Sequence, residues 1–268
     1  MRVLVVTPPL PTPDDPGSMA PAARQIRSLA GLGITTDVVE MRGIARLKSA
    51  HGSFRVRHRL AGVDLIHAHF GYCGWLSRMQ AQRPIVLSFM GSDLLGTPRG
   101  DGRLKWFSRM MIRANCRLAP HIDQVIVKSD ELARVIAPTP AHVIPNGVDT
   151  ELFCPIDRNI ARRQLKWPMD APRVLFPGNP ADPRKGLALA RQGIKVASRA
   201  MRCDLELVPL WGVAPDDVPL YMNACDAMLM TSLLEGSPNV VKEAMACNLP
   251  VIGVPVGDVE PLLGGVAG

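Results

Sequence analysis

The stretch LLEGSPNVVKEAMACNLPVI, residues 233–252, decides how the whole chain is read. It follows a short apolar strand ending near Thr231, turns at Glu235-Gly236 and enters a helix at Ser237-Pro238. Serine is a favoured N-cap, and proline suits a first helical position because its missing N–H would have no intrahelical acceptor there. Val240, Val241, Ala244 and Met245 supply a packing face. The open helix end offers backbone N–H groups and the positive pole of the helix dipole. Gly236 lets a ligand come close to the main chain. The expected product is an anion site at the carboxyl end of a parallel strand, where open α/β sheets bind their ligands.

Two carboxylates flank this turn. Glu235 lies in it, and Glu243, one turn beyond Asn239, projects from the same edge of the helix. An ionised carboxylate accepts hydrogen bonds through two oxygens, which suits a vicinal diol such as that of a ribose. A lone helical glutamate is ordinarily a solvated residue. Here the second carboxylate, the glycine and the cap argue for a site.

Outward from this segment the chain alternates short apolar runs with amphipathic stretches. Strands are expected at 3–6, 35–39, 65–68, 85–89 and 125–127, with helices near 20–32, 76–80, 104–118 and 130–136. The pattern restarts with strands at 174–176, 205–208, 227–230 and 251–254 and helices at 185–200 and 217–224. This predicts an α/β protein of two Rossmann-like, doubly wound parallel-sheet domains, 1–148 and 149–268, joined near Pro145-Asn146-Gly147-Val148. The closing VGDVEPLLGGVAG reads as having no helix, so the second domain is expected to be incomplete.

Several classes lose ground. The loop after the first strand, PPLPTPDDPGSM, has Gly17 as its one glycine, so neither a dinucleotide fingerprint nor a P-loop is present. The six cysteines are scattered without a C-x-x-C pair, which argues against a disulfide framework or a zinc site. No segment reads as a signal peptide and no apolar run approaches the ~18 residues of a membrane span, so a cytoplasmic location is expected. His67-x-His69 is read as pointing to opposite faces of a strand, and no metal site is expected there. No cofactor is expected either.

The net charge of +7 is uneven: residues 1–148 carry +9 and residues 149–268 carry −2. The 42–59 stretch holds six Lys/Arg and no acid. Lys105, Arg109, Arg113 and Arg117 form a stripe at steps of four, with Leu104, Phe107, Met111 and Leu118 expected on another face. A solvated helix face accounts for such a stripe, and so does attraction to an anionic membrane or acceptor. With aromatic residues at 4%, nucleic acid is not an expected partner.

The E-x(7)-E pair Glu235 and Glu243, set in EGSPNVVKEAMACNLPV, resembles the signature of family 4 and related GT-B glycosyltransferases of the retaining kind. IPNGVDTELFCP (144–155), DLIHAHFG (64–71), VLSFMGSD (86–93), VIVKSDELA (125–133) and VLFPGNPADPRKGLALA (174–190) are similar to further family motifs, in order along nearly the whole chain. The resemblance implies an acceptor-side first domain and a second domain that binds a nucleoside diphosphate-sugar. It implies that Lys185 and Arg184 neutralise the donor diphosphate around Gly178 and Asn179. Glu243 would hold the ribose and Glu235 would lie beside the transferred sugar. The backbone of Gly236, Ser237, Pro238, Asn239 and Val240 would cap donor oxygens, and Gly17 and Ser18 would close on the donor from the first domain. Asp93 is an acceptor candidate, with a turn or cap role as the other reading. A basic pair at a helix start is disfavoured by the dipole, which argues for an anion nearby. Asp-x-Asp is absent, which fits a metal-independent transfer to a cell-surface glycan or lipid-linked acceptor, by a cytoplasmic protein that contacts the membrane peripherally. Two departures stand out: Met90 where many relatives have histidine, and Asn179 where they have arginine. A sugar-nucleotide-binding protein without catalysis and a GT-B epimerase acting on a UDP-sugar are the other readings.

Overall fold

Short runs of valine, leucine and isoleucine, bounded by glycine and proline, become ten strands among the described residues, every neighbouring pair parallel. The computed structural model describes residues 1–15, 17–41, 54–80, 82–97 and 103–265. They fall into two units, one of Met1–Thr97 with Leu104–Asn146 and another that joins Arg103 to the residues from Gly147 onward.

The first unit holds β1 (Arg2–Thr7), β2 (Thr35–Glu40), β3 (Leu65–His69), β4 (Ile85–Ser88), β5 (Gln124–Val127) and β6 (His142–Val143), in the order β2-β1-β3-β4-β5-β6. The chain moves outward from β1 to β2 and then returns past β1 to β3, so the winding reverses between β1 and β3. Val5 is in register with Val38 on one side and His67 on the other, and His67 with Val86. Leu4, Val6, Ile66, Leu87, Phe89 and Val127 bury themselves against Leu118, Leu132 and Ile136 from the Trp106–Leu118 and Asp130–Ile136 helices. The strand β6 was not expected: two residues between Pro140 and Pro145 carry no readable pattern.

The second unit holds β7 (Arg173–Pro177), β8 (Glu206–Leu210), β9 (Ala227–Met230) and β10 (Val251–Gly253), in the order β10-β9-β7-β8. This smaller sheet reverses its winding between β7 and β9. Its core joins Leu175, Met228 and Met230 to Phe153, Met222, Val241, Ala244 and Val259. The expectation of no helix after β10 is corrected: Val259–Leu263 is helical. Pro261 reads as a breaker, but it falls in the first turn, where no intrahelical bond needs its N–H. Val259 is buried and anchors the turn to the core. Among the described residues no helix is long and apolar enough to cross a membrane.

Candidate functional site

Where the winding of the second sheet reverses, the carboxyl ends of β7 and β9 lie side by side and their loops are knitted together. Leu233 N donates to Arg184 O at 2.7 Å, and the Thr231 hydroxyl is shared between Lys185 O and Gly186 O, each at 3.0 Å. Gly186 is required by both conformation and space: its φ is 68°, and a Cβ there would stand 2.1 Å from Thr231 O. The loop after β7 is a chain of tight turns. The Asn179 side chain accepts from Ala181 N at 2.9 Å, and Asp182 begins a short 3-10 turn, Pro183–Lys185.

That arrangement brings two of the expected residues into contact. Lys185 Nζ lies 2.6 Å from Glu235 Oε1, with both side chains largely covered. The stem of Lys185 crosses Gly178, where a Cβ would approach its Cε to 2.9 Å. Arg184 is held differently, by both oxygens of Asp182 at 2.6–3.1 Å. The Arg184 side chain holds the Asp182 carboxyl below the usual carboxylate range, and Asp182 in turn raises Arg184. The dipole argument for an anion beside this basic pair is thus met by two carboxylates of the chain itself, Asp182 and Glu235.

The turn that carries Glu235 is fixed from the far side by the loop after β10. The Ser237 hydroxyl donates to Asp258 Oδ2 at 2.5 Å, and Lys242 Nζ donates to Ser237 Oγ at 2.6 Å. Lys242 is also 3.8 Å from Asp258. Burial lowers the pKa of Lys242, and Asp258 pulls it back up. Gly257, at φ 59°, comes so close that a Cβ would lie 2.6 Å from Gly236 O. The expected serine cap is therefore corrected. The helix runs Asn239–Ala246, Pro238 occupies the cap position without a side-chain bond, and the Ser237 hydroxyl is committed to Asp258 instead. Val240 is the second residue of the same helix, and Glu243 is buried on it.

Gly17 and Ser18 belong to the first unit, in the loop between β1 and the Ala20–Gly31 helix. Gly17 has open space around it, and the Ser18 hydroxyl donates to Pro9 O at 2.7 Å. Asp93, the acceptor candidate, is turned inward: it is 4% exposed and accepts from the amides of Gly71, Met90 and Gly91 at 2.9–3.2 Å. Burial pushes its pKa up against the pull of those amides. In this geometry its carboxylate holds the turn after β4 and the start of the Gly71–Arg78 helix.

His67 and His69 require a correction. Residues two apart on a strand share a face, and their rings lie 4.3 Å apart between centroids. His67 Nε2 pairs with Ser88 Oγ at 2.9 Å, while His69 Nδ1 has no hydrogen-bond partner among the described residues. Burial, with Lys128 adding to it, drives the pKa of His67 down to about 4 and that of His69 well below its ordinary value, so both are neutral. The basic stretch expected at 42–59 lies mostly outside the described residues.

Four contributors to the site were missed in the sequence: Asp182, Lys242, Gly257 and Asp258. Asp182 carries a visible signal, since an aspartate before Pro-Arg-Lys is a natural turn opener. The other three act across a turn fixed only in three dimensions.

Residues 2–152, more than half of the chain, match the family model described as Glycosyltransferase Family 4, and residues 190–268 match that described as Glycosyl transferases group 1. A D-inositol 3-phosphate glycosyltransferase of Actinosynnema mirum is 30% identical over 248 residues, covering 75% of this chain and 58% of that relative. Sucrose-phosphate synthase from Thermosynechococcus elongatus has a TM-score of 0.73 at 19% identity, over 98% of this chain and 84% of that one. The Anabaena protein HepE, solved with UDP and glucose, has a TM-score of 0.68 at 18% identity, over 98% and 83%. These two structural likenesses speak to the fold alone. The chain spans about half the length of the curated relatives it matches.

Proposed function

The chain belongs to glycosyltransferase family 4, and from that premise we propose that it binds a nucleoside diphosphate-sugar in its second unit and transfers the sugar, with retention, to a glycan or lipid-linked acceptor. The observation that carries the reading is the contact of Lys185 with Glu235 beside the open end of the Asn239–Ala246 helix. One cation, one carboxylate and a helix N-terminus meet where a parallel sheet reverses its winding, the position at which such sheets bind ligands.

Each group has a task in this chemistry. As the bond from the anomeric carbon to the diphosphate breaks, negative charge grows on the leaving oxygen. Lys185, Arg184 and the backbone N–H groups at the helix start would stabilise it. Retention follows if the acceptor oxygen attacks from the face the diphosphate leaves, its proton passing to a phosphate oxygen. Glu235 would then face a sugar gaining positive character, and Glu243 would hold the ribose hydroxyls. The reading requires no resident cofactor, and the carriers of charge are residues of the chain. A lipid-linked acceptor would bring the protein to the inner face of a membrane as a peripheral component.

The test is a screen of nucleoside diphosphates by thermal shift, UDP first, followed by release of nucleoside diphosphate from the matching sugar donor. Ligands that bind the folded state alone raise its melting temperature in proportion to ln(1 + [L]/Kd). The proposal expects stabilisation by one base and acceptor-dependent turnover. Stabilisation without turnover would identify a binding protein, and turnover indifferent to acceptor would point to an epimerase. No stabilisation by any nucleotide would overturn the assignment of the site.

A further inference from the structure

The six cysteines are scattered along the sequence, yet the fold gathers Cys154, Cys225 and Cys247 at one end of the second sheet. Cys225 leads into β9, and Cys247 closes the Asn239–Ala246 helix. Both are 4% exposed, and both line a cavity of about 360 Å³ at the amino ends of β9 and β10. The candidate donor site is at the carboxyl ends of β7 and β9, so the cavity is no part of it. Pro155 and Ile156 form a further wall of the cavity, and Phe153 packs in the same core as Cys225 and Cys247. The neighbours of Cys154 on both sides are therefore placed beside Cys247. Asn223 fixes this arrangement. Its side chain accepts from Ile156 N at 2.7 Å and donates to Cys154 O at 3.0 Å. The same side chain is within hydrogen-bonding reach of the Cys247 thiol. One short side chain thus joins the backbone of Cys154 to the sulfur of Cys247, which is the scale a disulfide spans, with Cα atoms about 6 Å apart.

We infer that Cys154 and Cys247 are a redox modification site, a thiol pair that closes to a disulfide when a small-molecule disulfide such as glutathione disulfide is the oxidant. Cys154 is partly exposed and meets the oxidant first. Its thiolate attacks one sulfur of glutathione disulfide, which forms a mixed disulfide and releases one glutathione. The Cys247 sulfur then attacks the Cys154 sulfur, its proton passes to the departing thiolate, and the second glutathione leaves. Two protein thiols are oxidised, and one glutathione disulfide is reduced to two glutathiones. Burial, with Cys154 nearby, pushes the Cys247 thiol up to about 11, which makes it a poor nucleophile toward an oxidant in solution. Proximity to Cys154, not acidity, makes it the resolving partner. The bond would tie the segment around Cys154 to the end of the helix that carries Glu243. The inference goes beyond the sugar-transfer reading, since its chemistry and its readout need neither donor nor acceptor.

The test is titration of the reduced full chain with mixtures of glutathione and glutathione disulfide, followed by peptide mass spectrometry without reduction. Wild type is expected to yield a cross-linked peptide pair joining Cys154 to Cys247, and Cys225→Ser should keep it. Cys247→Ser should stop at the mixed disulfide on Cys154, and Cys154→Ser should form no cross-link. The bond closes a long loop, so oxidised wild type should melt about 5 °C or more above the reduced form, a rise absent from Cys154→Ser. Cys154→Ser changes a partly exposed position and should keep the wild-type circular dichroism, so this comparison stands even if Cys247→Ser does not fold. A mixed disulfide that persists on Cys154 in wild type, a cross-link to Cys225 in place of Cys247, or no reaction at Cys154 overturns the inference.

Discussion

Lys185 and Glu235 are fifty residues apart in the chain and joined by a 2.6 Å ion pair across the loops after β7 and β9. The cation proposed to receive a diphosphate is therefore paired with a carboxylate of the chain itself. In the proposed reading an arriving diphosphate would compete with Glu235 for Lys185, and the displaced carboxylate would face the sugar.

Lys185→Ala should weaken nucleoside diphosphate binding and lower turnover on the order of 100-fold or more, because a leaving group stabilised in a covered site loses its main cation. Calorimetry with the cognate nucleotide checks this. Affinity equal to wild type would remove Lys185 from the donor site and leave it as a partner for Glu235 only.

The two glutamates should separate kinetically. Glu243→Gln is expected to raise the donor KM, since a ribose contact is made in ground and transition states alike. Glu235→Gln is expected to lower kcat more than it raises KM, because its charge matters most as the sugar becomes cationic. Steady-state kinetics with the identified donor decide it, and matching profiles for the two variants would defeat the division.

Asp258→Ala should loosen the turn that bears Glu235, although Asp258 is twenty-one residues beyond Ser237. Losing a hydrogen bond to a charged group costs about 2 kcal/mol of stability. Nucleotide affinity should fall with it, since Ser237 no longer has its anchor. Gly257→Ala should act in the same direction through the contact with Gly236 O. Melting curves with and without nucleotide are the measurement; a destabilised variant that binds as tightly as wild type would confine Asp258 to folding.

Acid should destabilise the first unit. His67 has a native pKa of about 4 against an ordinary 6.5, so between those values the unfolded chain binds more protons and stability falls as pH falls. The full effect is on the order of 3 kcal/mol. Asp93, whose pKa is raised, contributes with the opposite sign just above the ordinary carboxylate value. Comparison with His67→Gln isolates the histidine: urea melts from pH 7 to pH 4 should show a shallower loss in the variant, and parallel curves would exclude His67 as the source.

Much of the fold was legible because strand runs such as Val3–Val6 and Val174–Phe176 leave few alternatives once glycine and proline bound them. The β6 strand was illegible, since two residues hold no period. The turn at Glu235-Gly236 was readable from local chemistry, but the partner of Ser237 was not: a serine before proline matches the N-cap pattern whether or not a distant aspartate claims its hydroxyl. The face shared by His67 and His69 was available from strand geometry alone, and the opposite-face reading misapplied the period of two. Phe107, expected on a face other than that of the basic stripe, is 54% exposed. Periodicity marks a face as apolar without saying whether the rest of the protein covers it.

The order β10-β9-β7-β8 leaves β10 with β9 as its one strand partner among the described residues. At the other margin of the sheet, Pro209 within β8 removes a donor and blunts that edge. Along β10 nothing of the kind intervenes, and Ile252 is 61% exposed. Among the described residues this margin therefore keeps backbone donors and acceptors to which a further strand can pair. A lysine at position 252, Ile252→Lys, should raise the concentration at which light scattering first detects association.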